Sequence, residues 1–87
     1  MNKKTFIFKE LNNLKFVNSI EIEYWSTYNK TLKKLELIFN EQNKICLYHL
    51  CFLDALLDNL YKHHFISIED LQIFKSLLID LKKLRLD

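Results

Sequence analysis

Not one residue of this 87-residue chain is glycine or proline. That double absence narrows the available folds more than any motif in the sequence does. Hairpin turns of types I′ and II′ require positive φ, which glycine adopts most readily, so a β-rich domain normally draws on it. A helical bundle can close its helices on Asn instead. Glycine-rich phosphate loops are excluded as well, because neither a Walker loop nor a dinucleotide fingerprint exists without glycine. The commonest nucleotide-binding classes therefore fall away.

The length suits one domain covering 1–87. It is just sufficient for a core without staples, which folds below about 70–80 residues tend to need. Apolar residues make up 49% and charged residues 28%, the proportions of a globular chain and not of a disordered one. A formal net charge of +2 is too small to imply nucleic acid unless the lysines cluster. The opening MNKKTFIFKE lacks the apolar run of roughly 7–15 residues that a secretory signal requires. No stretch approaches the ~20 apolar residues of a membrane span. The expectation is a soluble cytoplasmic or intra-organellar protein, not secreted and without a membrane partner.

Periodicity supplies the elements. Ile20, Tyr24, Trp25, Tyr28, Leu32, Leu35, Ile38 and Phe39 fall within one arc of about 140° on a helix, with Glu23, Ser26, Asn29, Lys30, Lys33, Lys34 and Glu36 on the other side. This predicts a helix over about 19–40. Asn18 is its expected cap, with Glu21 three residues on and Val17 with Ile22 as a hydrophobic staple. The polar run Asn40-Glu41-Gln42-Asn43-Lys44 reads as a turn. A second helix, over about 44–63, is apolar almost all round. Only Asp54, Asp58 and Lys62 mark a wet stripe, with Asp58 and Lys62 at a favourable i,i+4 spacing. So apolar a helix belongs in the centre of a bundle. A third, over about 68–86, starts at Ser67, with Asp70 in the capping-box position and Ile66 with Leu71 as a staple. Its core face is Leu71, Phe74, Leu77, Leu78, Leu81 and Leu84. The first 17 residues are ambiguous: Ile7, Leu11 and Leu14 share a helix face, but Phe6-Ile7-Phe8 and Asn12-Asn13 also suit a hairpin. The fold expected is all-α, a small three- or four-helix bundle. The alternative is α+β, an N-terminal β-meander followed by two helices.

Little in the sequence points to catalysis. Cys46, His49 and Cys51, with His63 and His64 further on, invite a metal reading. On a helix, however, Cys46 and Cys51 project about 140° apart and cannot converge on one tetrahedral ion. Both then read as small buried hydrophobes. His49 falls on the same side as Ile45, Phe52, Leu53, Leu56 and Leu60. The plain reading is a core histidine bonded to Tyr24, Tyr28 or a backbone carbonyl, and a neutral imidazole buried in that way would make acid destabilising. The carboxylates Glu21/Glu23 and Asp54/Asp58 read as solvated faces. The one arginine, Arg85, sits where a cation favours a helix C-terminus. An enzyme is not expected, nor is a metal or any other cofactor.

Two surface features remain. Tyr24, Trp25 and Tyr28 stand together on one helix, and exposed Trp and Tyr are enriched at binding hot spots. The plainer alternative packs all three in the core. On the last helix Gln72, Lys75, Ile79, Lys82, Lys83 and Leu86 lie opposite the core face, where Ile68, Ile79 and Leu86 make a second apolar stripe. Here the plainer alternative is a solvated charged face. The functional expectation is a small non-catalytic protein-binding domain: an inhibitor, immunity-type factor, adaptor or assembly subunit. Its candidate binding residues are Trp25, Tyr28, Lys75, Ile79, Lys82 and Lys83. A second copy of the chain stands among the candidate partners. The alternative is a nucleic-acid-binding domain using Lys33, Lys34, Lys75, Lys82 and Lys83 on phosphates, with the net charge and the lack of an arginine to read guanine edges against it.

Overall fold

The computed structural model describes residues 3–18 and 20–84. They form four α-helices and, among the described residues, no strand: α1 Lys3–Leu11, α2 Ile22–Gln42, α3 Leu47–Lys62 and α4 Ile68–Leu84. The all-α expectation holds, and the N-terminal segment is a fourth helix instead of a meander. Helical period brings Ile7, Phe8 and Leu11 of α1 together into the core and leaves Phe6 outside, which the strand alternation would not do. The expected positions of Arg85 and Leu86 lie outside the described residues.

α3 packs against both α2 and α4, and α1 lies on α4. Side chains carry α1 across to α2 as well. Phe8 meets Phe39 edge-to-face at 6.2 Å, and Lys4 stands 5.0 Å over the Phe39 ring while donating to Asn40 Oδ1 at 2.9 Å. At the other end of the same pair, the Tyr28 hydroxyl donates to the Leu11 carbonyl at 2.6 Å. α1 and α2 are therefore antiparallel. The core joins these residues to Leu32 and Leu35 of α2, Leu53, Leu57 and Leu60 of α3, and Leu71, Phe74, Leu77, Leu78 and Leu81 of α4. The predicted core face of α4 is thus recovered in full, with Leu84 packed at its edge.

Without glycine, two other residues take the left-handed conformation among the described residues. Asn43, with φ 52°, ends α2, and its N–H donates to the Phe39 carbonyl at 2.8 Å. His64, with φ 64°, ends α3 in a full Schellman motif. Its N–H donates to Tyr61 O at 2.9 Å and the Phe65 N–H to Leu60 O at 2.9 Å. Ser67 caps α4 as expected, its Oγ accepting from the Asp70 N–H at 3.1 Å, and Ile66 and Leu71 are both buried.

The expected start of α2 is corrected. Glu21 is its N-cap, without a side-chain cap bond, and Val17 and Ile22 are both exposed, so no staple forms. Val17 and Asn18 serve a different junction. The Val17 N–H donates to Phe65 O at 2.9 Å and the Asn18 side chain donates to His64 O, pinning the α1–α2 connection onto the α3–α4 turn. A long-range bond to a carbonyl left free by the helix end has displaced the local cap.

Candidate functional site

The structure disperses the six residues singled out as a binding surface. Tyr28 is corrected outright: at 3% exposure its ring is core, and its hydroxyl is spent on Leu11. Burial pushes that phenol well above the usual tyrosine range. Tyr24 turns away too, its ring 5.7 Å from His63 and 5.6 Å from Phe65. Trp25 alone of the three faces out, at 50% exposure. The aromatic group that is contiguous along α2 is therefore divided among core, helix junction and solvent.

The basic side of α4 is also divided. Lys75 bridges to α3, with Nζ 2.8 Å from Asp58 and 3.8 Å from Asp54. The hydrogen bond to Asp58, reinforced by the charge of Asp54, raises its ammonium above the ordinary lysine value. Asp58 is thereby taken from its expected pairing with Lys62. Lys82 and Lys83 remain exposed, and Ile79 is 55% exposed. Ile79 and Lys82 border an open cleft between α3 and α4 with Leu50, Cys51, Asp54 and Leu78. Ile68 is exposed at the start of the same helix.

A different surface also displays apolar side chains. α3 buries Leu50, Leu53, Leu56, Leu57 and Leu60. Its outward side keeps Tyr48 at 74% and Phe52 at 40% exposure, with Cys51, Ala55 and Asn59 also exposed. The cysteines are corrected here: Cys51 is free and exposed, and Cys46 is partly buried at the N-cap of α3. Tyr48 and Phe52 join Lys30, Thr31 and Lys34 of α2 around an open groove that also contains His49. The His49 ring lies edge-on to Tyr48 at 5.6 Å, and among the described residues its buried Nδ1 has no hydrogen-bond partner, whether Tyr24, Tyr28 or a carbonyl as expected. Toward the N-terminus of α2 a second open groove is lined by Glu21, Glu23, Tyr24 and Thr27 with Leu56.

This face was legible in one signal. Tyr48, Phe52, Ala55 and Asn59 recur at the i, i+4, i+7, i+11 spacing of a helical stripe on a helix that already has a separate core stripe. Two neighbouring helices cover only part of the apolar surface that α3 offers. Chemically the face can take apolar and aromatic contacts flanked by charge. Among the described residues no group of three or more His, Cys, Asp or Glu is placed to hold a metal ion. No helix there is long and apolar enough to cross a membrane. Comparison of the chain with protein-family models, with curated proteins and with solved structures gives no match.

Proposed function

We propose that this chain is a small non-catalytic domain that binds another protein through the α2–α3 face. The observation that carries the reading is the uncovered stripe of α3. Tyr48 and Phe52 are large apolar side chains left in solvent on one side of a helix, beside Lys30 and Lys34. Apolar patches rimmed by polar groups mark interaction sites, and aromatic residues are enriched among the residues that carry binding energy. Inhibitor, immunity-type factor, adaptor and assembly subunit are all roles of this kind.

The nucleic-acid alternative draws less support. Lys75 is neutralised by Asp54 and Asp58, and the other lysines of that reading are divided between α2 (Lys33, Lys34) and the end of α4 (Lys82, Lys83). Recovery of partners on the tagged chain, with and without nuclease, separates the two readings. A stoichiometric protein that survives nuclease, and is lost from Phe52→Glu but kept by Lys82→Glu/Lys83→Glu, is the expected result. Recovery that collapses on nuclease treatment overturns it in favour of phosphate contacts, whose strength falls steeply with salt.

A further inference from the structure

We infer that the α2–α3 face docks a second copy of this chain, with the paired helices antiparallel. The inference rests on reading that face as a binding surface, and the choice of occupant comes from how charge is divided along it. Glu23, Thr27, Lys30 and Lys34 share one side of α2 at i, i+4, i+7, i+11 spacing. Toward the start of α2 that side is acidic, where Glu21 and Glu23 border one groove with Thr27 and Leu56, and further along it is basic and aromatic, where Lys30 and Lys34 border another with Tyr48 and Phe52. None of these four charges is held in an ion pair among the described residues, where the ion pairs are those of Lys75.

The division fixes the arrangement. Thr27 lies midway along α2 between Glu23 and the two lysines, and Leu56 is its neighbour on α3. A two-fold axis lying in the face and crossing the helices at that level lays the basic end of each copy on the acidic end of the other. Lys30 and Lys34 then stand opposite Glu23 of the second copy, and symmetry makes the contact twice. On α3 the same operation brings Phe52 of one copy toward Asn59 of the other, and Tyr48 toward Lys62 near the end of that helix. Ala55, next to the axis, is small enough for the two helices to approach closely.

Other occupants fit less well. An acidic amphipathic segment suits Lys30 and Lys34 but meets like charge at Glu21 and Glu23, and a basic segment fails at the opposite end. A parallel pairing of two copies sets lysine against lysine and glutamate against glutamate. A surface with the same division, reversed, satisfies both ends, and the antiparallel copy is such a surface.

Sedimentation equilibrium of the purified chain, across micromolar concentrations and at two ionic strengths, tests this. The expected mass rises with concentration from 10.6 kDa toward twice that value, and added salt weakens the association. Glu23→Lys alone, and Lys30→Glu with Lys34→Glu, should each weaken it on the order of ten-fold or more. All three changes in one chain should restore it, because each reversed end again faces its opposite. Phe52→Glu should abolish it. Every one of these positions is exposed, and circular dichroism of each variant checks that the helices persist. A chain that stays monomeric at all concentrations overturns the inference. So does a dimer that survives Phe52→Glu, or one whose charge reversals are not rescued in combination. These failures leave capture of a different protein unaffected, since the nuclease-split recovery reads that separately. A dimer with the full rescue pattern supports the inference even where no other protein is recovered.

Discussion

At the scale of single residues, the absence of glycine leaves identifiable strain. His64 occupies the position of the Schellman motif that glycine usually fills, and a side chain in the left-handed region costs roughly 1–2 kcal/mol. His64→Gly should therefore raise stability by about 1 kcal/mol, part of the gain being offset by the greater backbone freedom of glycine in the unfolded chain. Chemical denaturation measures it, and an unchanged midpoint would count against the strain. Asn43 was legible in sequence, because Asn is a usual left-handed residue in a polar run after an apolar one. His64 was not, because the motif depends on Phe65 reaching back to Leu60. Tyr28 gives the opposite prediction. Tyr28→Phe leaves the Leu11 carbonyl without its donor and should lose about 1–2 kcal/mol in the same measurement. The pH dependence follows from the raised pKa. The folded state holds the phenol proton more tightly than the unfolded state, so this contribution is complete below the ordinary tyrosine value of 10.0 and is lost as pH rises above it. Above that pH the wild type should lose stability faster than Tyr28→Phe, and parallel melting curves would contradict the assignment.

At the scale of elements, local signals succeeded where nothing distant competed with them. The Ser67–Asp70 cap and the core face of α4 were both readable because bonds and contacts within one turn decide them. Ser67→Ala should lower stability by about 1 kcal/mol, and a thermal midpoint unchanged from wild type would mean the cap contributes nothing. The start of α2 failed for the complementary reason. Asn18 had the spacing of a cap, but the α3–α4 turn offered the His64 carbonyl 46 residues away, and no local pattern contains that partner. α3 shows a third case. Its apolar character correctly put it between two neighbours, yet a helix with neighbours on two sides keeps a third side. Tyr48, Phe52 and Ala55 fall there. Periodicity groups Phe52 with the core side of the helix, and placing it outside requires knowing which arc α2 and α4 cover, a property of the packed bundle.

At the scale of the whole molecule, the arrangement of helices decides which surface features act together. Periodicity placed Trp25, Tyr24 and Tyr28 on one helix, and packing assigned them to three environments. It likewise put the lysines of α2 and α4 on separate helices and tied Lys75 to α3, so a list of basic residues overstated the basic surface. The exposure of the candidate residues was therefore legible only in part: Ile79, Lys82, Lys83 and Trp25 are exposed, Tyr28 is buried, and a further exposed apolar stripe lies on α3. The central claim is that this face binds protein. Capture of partner by Phe52→Glu, relative to wild type and on samples with matched melting temperatures, tests it most directly. Capture should fall to background while the melting temperature holds, because Phe52 is exposed in the free chain and the new charge would be buried unpaired in a complex. Full capture by a folded Phe52→Glu chain would contradict the claim.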